Sequence, residues 1–541
     1  MSTASFLPAA ARAAPKLSIR RLAAWLASRA SDPKAGLWLV IGFAVAHAVL
    51  WTLILVNLKA AQDVHMDVAE AFAWGQKFQL GYGKHPPLSG WIAGVWFRIF
   101  PVADWATYAL AMAVVGCGLV ICWVIALRVV DRRRAFFVVV MLALYPIFNF
   151  KGFKYNPDLL QLVTLPLLVL AYLDAFEKRS VKSGLWLGIA GALALMTKYW
   201  VLTMIGAIGL AALIHPMRWQ FLRSPAPWIA IATLVAALIP HLTWLKQVNF
   251  VPLTYAGDTY ALSSRAQSFA LVLGYIGHNL ALLVVPIALA ALALALAPRW
   301  WSTLRGRPVL LFTRSWSRSA NPGVKLPQAL NVWIIQAVVA IGPPIGALIF
   351  EVYIKTDWGI SLFFLVPLAL VAIPALRVPR TTLFNITAIW LAVTLATLGA
   401  SRWIPALELA GNADSVAIYG ARSELARELT EAWHARFASR WAAVAGTTDT
   451  IEPLVFYSPD HPAPFTPGEI WTAGLTTPEE VKRLGFIGVF DPADGRLPAF
   501  EAWMAQNAPE AERMVVTTRR FFRGHAGPAI NWNIYIAPPA N

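Results

Sequence analysis

Apolar runs about as long as a membrane is thick recur along this 541-residue chain. The clearest are residues 37–57, 104–130, 226–245, 269–297, 329–350 and 381–400. A helix of about 20 such residues crosses a hydrocarbon core about 30 Å thick. Only 13% of the residues are charged, whereas soluble domains carry roughly 25%. We therefore predict a polytopic α-helical membrane protein.

The net charge of +17 is concentrated in alternate loops and does not indicate nucleic acid as a partner. Basic clusters occupy residues 20–21, 128–134, 177–182, 215–223, 298–325 and 377–380. Cytoplasmic loops of membrane proteins carry the excess of Lys and Arg, so we place these loops and the N-terminal segment 1–36 in the cytoplasm. Orientation and binding to anionic membrane lipids account for their charge.

Threading helices between the basic loops predicts about eleven transmembrane helices within residues 37–400. Their predicted positions are 37–57, 104–127, 135–150, 159–175, 184–196, 200–214, 226–246, 269–297, 329–350, 358–376 and 381–400. An odd number places the C-terminus in the periplasm and makes residues 58–103 a long periplasmic loop. Residues 184–214 form either two helices joined by a tight outer turn or one kinked helix. Whether the number of spans is odd or even depends on which of these is correct.

The composition changes after about residue 401, where charged residues and turn formers become frequent. Helical periodicity in "GARSELARELTEAWHARFASRWAAV" precedes three segments that have the pattern of short strands: "EPLVFYSPDHPAPF", "GFIGVFDP" and "NWNIYIAPP". We predict a soluble α/β domain, residues 401–541, on the periplasmic side.

The first periplasmic loop holds ionisable groups that are costly near a membrane. As a helix, "AQDVHMDVAEAFAWGQKF" has an apolar side and an opposite polar stripe made of Asp63, Asp67, Glu70, Trp74 and Lys77. Such a helix is predicted to lie in the membrane interface. Carboxylates at i and i+3 interact, so we expect a raised pKa for Asp67 or Glu70.

Lysines and carboxylates recur in the other predicted outer loops, against the usual charge bias. These loops and the end of the first one contain Lys84, His85, Lys151, Lys154, Asp158, Lys198, His241, Lys246, Glu351, Lys355 and Asp357. Any one lysine taken alone is as well explained by snorkelling to the interface. Together they indicate an anionic lipid headgroup and acid–base chemistry, in which a carboxylate takes a hydroxyl proton and cations stabilise a departing phosphate.

Five blocks of the sequence carry a resemblance to a known family, in the same order along the chain. They are "GYGKHPPLSGW", "YNPDLLQL", "GIAGALALMTKYW", "PHLTWL" and "VFYSPDHPAPF". The chain resembles the glycosyltransferase-C superfamily, in the bacterial branch of protein O-mannosyltransferases and lipid A aminoarabinose or galacturonic acid transferases. The resemblance implies inverting transfer of a sugar from a polyprenyl-phosphate donor to a lipid, glycan or protein acceptor, at the periplasmic face of the bacterial inner membrane.

The resemblance also implies roles for individual residues. Asp67 matches the catalytic acid/base of the first loop, with Glu70 as its rival because this chain reads "AEAFAW" where relatives have adjacent acids. Asp158 matches the residue that orients donor or acceptor, and Lys198 matches a phosphate-binding lysine.

Four further residues are candidates for substrate binding. Lys84 and Lys355 are additional phosphate ligands, and His85 and His241 are substrate contacts or, alternatively, a divalent metal pair. Relatives have an acidic metal ligand where this chain has Lys84, so no metal and no cofactor are predicted.

Two other classes of protein remain open. A transporter or flippase of lipid-linked precursors shows internal symmetry or broken helices at the midplane, and neither is evident here. A non-catalytic lipid-binding protein leaves the paired acids of the first loop unexplained. The sequence does not specify the sugar, the polyprenyl length or the acceptor.

Overall fold

The computed structural model describes residues 19–259, 262–297, 323–412, 415–468 and 476–540. Two predicted features fall partly outside these ranges: the first half of the N-terminal segment 1–36 and most of the basic loop 298–325. The prediction that both are cytoplasmic therefore stays a prediction.

Within the described part of the first 400 residues, the regular elements are helices, and a single isolated β-bridge joins Val130 to Val324. The α-helices are α1 (Ile19–Ser31), α2 (Pro33–Leu58), α3 (Met66–Gly75), α4 (Leu88–Ile99), α5 (Asp104–Val129), α6 (Arg132–Ala143), α7 (Pro157–Lys178), α8 (Val181–Leu195), α9 (Leu202–Ile214), α10 (Arg218–Leu222), α11 (Pro225–Gln247), α12 (Val251–Thr259), α13 (Arg265–Ala295), α14 (Leu326–Phe350), α15 (Val366–Val371) and α16 (Arg380–Ala400). Short 3₁₀ helices lie at Pro146–Phe148, Phe150–Phe153, Tyr199–Val201 and Thr356–Leu365.

Seven of the described helices are long and apolar enough to cross a membrane, namely α2, α5, α7, α11, α13, α14 and α16. An eighth candidate is α6 with the residues up to Phe153, a pair bent by 80°. Shorter apolar segments lie at Val181–Leu195, Tyr199–Ile214 and Thr356–Val371. The prediction of a multi-pass helical membrane protein is confirmed. Each predicted span falls on one of these segments, but the count of eleven stays a prediction.

The bend after α6 has an identifiable cause. Pro146 begins a new 3₁₀ turn instead of continuing α6, because a proline ring clashes with the preceding helical turn. The Asn149 side chain donates hydrogen bonds to the carbonyls of Ala143 (3.1 Å) and Tyr145 (3.1 Å) and so stabilises the end of the broken helix. The bend carries the following turns, with Lys151 and Lys154, towards the start of α7.

The first loop differs from the single interfacial helix that the sequence predicts. Helix α3 begins only after His65, whose Nδ1 accepts a hydrogen bond from the Asp67 backbone N–H (3.1 Å). Asp63 precedes the helix, and residues 68–75 are all buried. The prediction of one polar stripe facing away from the membrane is therefore wrong. Protein packs against every side of this part of the helix, so its polar side chains need partners within the protein.

Close packing of α3 against α4 depends on two glycines. A Cβ atom added to Gly75 would lie 2.5 Å from the backbone nitrogen of Gly94, and one added to Gly94 would lie 2.4 Å from the carbonyl oxygen of Gly75. Neither backbone can yield to such a contact without moving its helix. The two glycines thus hold α3 at a fixed position beside α4.

The C-terminal part combines helices with a five-stranded sheet. Its elements are α17 (Ile404–Gly411), α18 (Val416–Tyr419), α19 (Arg422–His434), β1 (Ala443–Gly446), α20 (Thr448–Tyr457), β2 (Ala463–Phe465), α21 (Pro478–Leu484), β3 (Phe486–Phe490), α22 (Leu497–Asn507), β4 (Glu512–Phe522) and β5 (His525–Ala537). The sheet order is β2-β1-β3-β5-β4. Strand β1 pairs in parallel with β2 and β3, and β5 pairs antiparallel with β3 and β4.

One predicted strand of this domain is a helix. The segment "EPLVFY" lies in α20, where Ile451, Leu454 and Val455 are buried at helical spacing. Of the predicted segment only "APF" is a strand, and β1 and β4 were not predicted. The α/β character of the C-terminal part is observed, whereas its boundary at residue 401 stays a prediction.

The C-terminal domain packs directly on the first loop. Phe456 of α20 and Phe72 of α3 meet edge to face, with ring centroids 5.4 Å apart. Asp63, which is 7% exposed, lies 2.5 Å from Arg520 Nη2 of β4 and accepts a hydrogen bond from the Arg422 backbone N–H (3.0 Å). These contacts hold α3 between α4 and the C-terminal domain.

Replacing Arg520 with Met should destabilise the protein strongly. The substitution removes the closest cation from the buried Asp63 carboxylate and leaves it only Arg422, and breaking a buried ion pair costs up to about 3–5 kcal/mol. The control is Arg427→Met, because Arg427 and Glu431 form an ion pair of which both side chains are about two thirds exposed. Thermal unfolding in detergent should show a lower transition temperature for Arg520→Met alone, and equal transitions would contradict the role of Asp63.

Candidate active site

Six charged side chains line one cavity of about 130 Å³. The cavity lies where α3, the turns after α6, the start of α7 and the 3₁₀ helix Thr356–Leu365 meet. Its charged residues are Asp67, Asp158, Asp357, Lys151, Lys154 and Lys355, and Phe153, Asn156 and Trp358 are among the others. Three of the predicted site residues, Asp67, Asp158 and Lys355, thus lie together although they are far apart in the sequence.

Asp67 is held in place by three side chains. Asn156 Nδ2 donates a hydrogen bond to its Oδ2 (2.8 Å), Lys154 Nζ lies 3.3 Å from the same oxygen, and His65 Nδ1 lies 3.7 Å from Oδ1. Burial alone would raise the pKa of Asp67, but Lys154, His65 and Asn156 together lower it below its ordinary value. The carboxylate is therefore ionised and fixed at the edge of the cavity.

Local sequence explains how Asn156 and Asp158 come to face Asp67. Asn156 is the N-cap of α7, since its Oδ1 accepts a hydrogen bond from the Leu159 N–H (2.9 Å). Pro157 occupies the first helical position, where its missing N–H is no loss. The "NPD" triplet thereby starts the helix and presents its polar groups to the cavity.

Asp158 and Lys198 form a close pair at the same site. Lys198 Nζ lies 2.7 and 2.8 Å from the two Asp158 oxygens and 4.9 Å from the centre of the Trp358 ring. Lys198 is 7% exposed and is not part of the cavity lining itself. The predicted phosphate ligand is thus engaged with a carboxylate in this structure.

The remaining cations of the cavity are less firmly paired. Lys151 Nζ and His278 Nε2 lie 3.9 and 3.4 Å from Asp357 Oδ1. Lys355 makes no ion pair within the part of the chain that the structure describes. The ammonium groups of Lys151 and Lys355 are therefore the ones most readily available to an anion that enters the cavity.

Glu70 and Lys84 pair with each other away from the cavity lining. Their Oε1 and Nζ atoms are 2.6 Å apart, and the two side chains are 9% and 12% exposed. Burial raises the pKa of Glu70 although Lys84 opposes this shift, and the charge of Asp67 adds a smaller increase. Burial would lower the pKa of Lys84, but the charge of Glu70 raises it above its ordinary value. Asp67 and Glu70 thus have different partners despite their spacing.

The two predicted histidines do not line the cavity either. His241 is hydrogen-bonded through Nδ1 to the Leu80 carbonyl (2.7 Å) and through Nε2 to the Tyr199 hydroxyl (3.1 Å). His85 contacts Trp74 edge to face at 6.0 Å, and burial lowers its pKa to about 3, with smaller effects of Lys198 and Lys84. Within the described ranges, no three His, Cys, Asp or Glu side chains are grouped to hold a metal ion.

Sequence reasoning missed several residues of this region. Asn156 and Trp358 were not predicted as site residues, although they lie next to residues that were. The "NPD" sequence is a helix-capping pattern and could have indicated Asn156. Glu452 was assigned to a strand of a separate domain. No local pattern in the sequence indicates that its side chain lies beside Glu70 and Lys84.

The fold and the cavity together define a class of membrane protein. A helical membrane part, a first loop covered by a C-terminal α/β domain, and a cavity of carboxylates and lysines can be compared with solved membrane proteins. Crystal structures of ArnT from Cupriavidus metallidurans, in the apo state and bound to undecaprenyl phosphate, have this fold with TM-scores of 0.57 and 0.56. The identities are 13% and 12%, over 94% and 92% of this chain and 100% and 99% of those chains.

Sequence comparisons agree with the fold. Residues 84–244 match the family described as dolichyl-phosphate-mannose-protein mannosyltransferase. Over 239 residues the chain is 26% identical to the lipid A galacturonosyltransferase RgtD of Rhizobium johnstonii. This match covers 42% of this chain and 46% of the relative, so the chain spans about half the length of that curated protein. The predicted resemblance to the glycosyltransferase-C superfamily is confirmed.

The low pKa of Asp67 predicts how its contribution to stability varies with pH. A carboxylate whose folded-state pKa is depressed stabilises the protein above its unfolded pKa of about 3.9, and this contribution declines only as pH falls further. The difference in thermal transition between the wild type and Asp67→Asn should therefore not shrink from pH 7 to about pH 4.5, and protonation of His65 beside Asp67 can only enlarge it. A difference that shrinks between pH 7 and pH 6 would show that Asp67 is not held in its ionised form.

Proposed function

We propose that this chain is an inverting glycosyltransferase that moves a sugar from a polyprenyl-phosphate donor to a hydroxyl group of an envelope lipid. The observation that carries the proposal is the position of Asp67 in one cavity with Lys151, Lys154 and Lys355. A base for the acceptor and cations for a phosphate are the two requirements of this reaction, and both lie within this cavity.

The reaction follows from these positions. Asp67 accepts the proton of the acceptor hydroxyl while the hydroxyl oxygen attacks the anomeric carbon of the donor sugar. The bond from that carbon to the phosphate oxygen breaks as the new bond forms. The electron pair leaves with the polyprenyl phosphate, whose added negative charge Lys151 and Lys355 stabilise. Lys154 lies between the two tasks, since it pairs with Asp67 and lines the same cavity. A phosphate that draws Lys154 away would make Asp67 more basic as the donor binds.

The role of Lys198 in phosphate binding is part of the same proposal. A phosphate would have to compete with both oxygens of Asp158 for this ammonium group. We infer that Lys355, which has no such competitor in the described part of the chain, is the principal phosphate ligand. Lys198 then acts with Asp158, which orients donor or acceptor. The reaction as proposed uses no metal ion or other cofactor.

The names of the relatives suggest the substrate classes. The curated relative is a lipid A galacturonosyltransferase, and one of the ArnT structures contains undecaprenyl phosphate. We propose a donor of the polyprenyl-phosphate type and a lipid A-like acceptor. A uronic acid would be the first sugar to test as the transferred group.

The proposal includes an orientation in the inner membrane. With eleven spans and the basic loops in the cytoplasm, the cavity and the C-terminal domain lie on the periplasmic side. A lipid-linked donor presents its phosphate at the membrane surface, which is where the loops that line the cavity would then lie.

Removing the base should abolish transfer without unfolding the protein. Asp67→Asn should lower kcat by about 10²–10⁴, the usual effect of losing a general base. Glu70→Gln should be milder, because Glu70 does not line the cavity. Glu431→Gln, on the exposed face of α19, is the control. The variants should be compared in turnover assays with the same lipid-linked donor. Near-normal turnover of Asp67→Asn together with an inactive Glu70→Gln would mean that Glu70, and not Asp67, is the base.

Removing the phosphate ligand should weaken donor use. A lost hydrogen bond to a charged group costs about 1.5–3 kcal/mol, so Lys355→Met should raise the donor KM by about 10- to 100-fold. Lys198→Met should mainly lower kcat, since it leaves Asp158 without its partner. Initial rates over a range of donor concentrations separate the two effects. A larger rise in KM for Lys198→Met than for Lys355→Met would mean that Lys198 is the principal phosphate ligand. An unchanged KM in Lys355→Met would mean that Lys355 does not bind the donor.

A reporter enzyme fused to the C-terminus tests the orientation. Alkaline phosphatase, which is active only in the periplasm, should be active in this fusion, whereas a fluorescent protein that folds only in the cytoplasm should stay dark. The opposite result would mean an even number of spans and a cytoplasmic C-terminal domain.

A further inference from the structure

A second charged cluster on α3 includes a residue of the C-terminal domain. Glu452 of α20 is 3% exposed, and its Oε2 atom is buried without a hydrogen-bond partner in the described part of the structure. The charges that act on it are, in order, those of Glu70, Lys84, Asp449 and Asp67. Glu452 lies one turn before Phe456, which packs against Phe72 of α3, so it is on the side of α20 towards the helix that carries Glu70. The Glu70–Lys84 pair itself does not belong to the cavity lining.

The charges of this cluster do not balance if every group is ionised. Two buried carboxylates would share one ammonium group, and an unpaired buried charge is costly enough that the group takes up a proton instead. Lys84 lies 2.6 Å from Glu70, so Glu452 is the carboxyl left to carry the proton. Consistent with this, burial and then the charge of Glu70 raise the pKa of Glu452 well above its ordinary value.

The position of Glu452 is set by the packing of α20 on α3. Besides the contact between Phe456 and Phe72, the Tyr457 hydroxyl accepts a hydrogen bond from the Val64 N–H (2.7 Å). Val64 and Phe72 lie on either side of Glu70 in the sequence, and Phe456 and Tyr457 lie about one helical turn after Glu452 on α20. The carboxyl group of Glu452 is thus presented to α3 by a rigid element.

We propose that Glu452 is a positioning residue of the active site, supplied by the C-terminal domain as a neutral carboxylic acid that keeps the Glu70–Lys84 pair, and through α3 the base Asp67, in place. Asp67 and Glu70 are one turn apart on a ten-residue helix, so a change at one moves the other. A misplacement of about 1 Å costs roughly 10²-fold in rate. The catalytic part of this inference rests on the proposed transferase reaction.

Two substitutions at one position distinguish a neutral from an ionised carboxyl group. Glutamine has the shape of a protonated glutamic acid, so Glu452→Gln should retain most of the wild-type turnover. Glu452→Ala should lower kcat by about 10- to 100-fold with the donor KM unchanged, because it alters the geometry and leaves the phosphate ligands in place. Glu431→Gln, on the exposed face of α19, is again the control.

Each kinetic result supports or overturns the proposal. Glu452→Gln as defective as Glu452→Ala would show that an ionised carboxylate is needed. Glu452→Ala as active as the wild type would show that the residue has no role. If Glu452→Ala does not fold, the glutamine variant and the spectroscopic test below decide the question.

Infrared spectroscopy tests the protonation directly and does not require activity. The difference spectrum between the wild type and Glu452→Gln at pH 7 should show the loss of a carbonyl band of a protonated carboxyl group, which Glu431→Gln should keep. Absence of this band in the wild type would overturn the proposal. If no polyprenyl-phosphate donor supports transfer, the proposed function fails, yet the infrared result still establishes or removes the neutral Glu452.

Thermal unfolding at different pH values is a third test of the protonation of Glu452. A carboxyl group with a raised folded-state pKa stabilises the protein fully below its unfolded pKa of about 4.3 and loses this contribution as pH rises towards the folded value. The transition temperature of the wild type should therefore fall relative to that of Glu452→Gln between pH 5 and pH 8. A constant difference over this range would mean that Glu452 is not protonated preferentially in the folded protein.

Discussion

The burial of α3 between α4 and the C-terminal domain is the constraint on which the candidate site depends. A helix in the membrane interface can leave its carboxylates in water, whereas a helix covered on all sides has to pair them or protonate them. Asp67 pairs with Lys154, and Glu70 pairs with Lys84. Separate partners give the two acids separate electrostatic environments, although they are three residues apart on one helix.

Ion pairing between distant segments shapes the rest of the site in the same way. Asp158 at the start of α7 pairs with Lys198 from the turn before α9, and Asp357 lies near Lys151. Most charges in and around the cavity are thus balanced before any substrate enters. An incoming phosphate can use Lys355 directly and has to compete with carboxylates for the other lysines.

The helical segments and the chemical character of the site were largely predictable from local sequence. Span length and hydropathy depend on the membrane alone, so each predicted span coincides with an observed apolar segment. The same reasoning failed for "EPLVFY", because short apolar runs fit a strand and a helix equally well and packing on α3 decides between them. It also failed for α3, since amphipathic spacing does not reveal that a second domain covers the polar side.

The sequence by itself determined a polytopic membrane protein with acids and lysines in its predicted outer loops, because the hydrophobic thickness of a membrane and the cost of exposed charge act residue by residue. Only the tertiary structure decided which of those charges meet. It gave Asp67 a place in a cavity with three lysines, tied Lys198 to Asp158, and brought Glu452 from the far end of the chain to the pair formed by Glu70 and Lys84. Ion pairs of this kind depend on distances between segments hundreds of residues apart, and these distances follow from how the helices and the C-terminal domain pack.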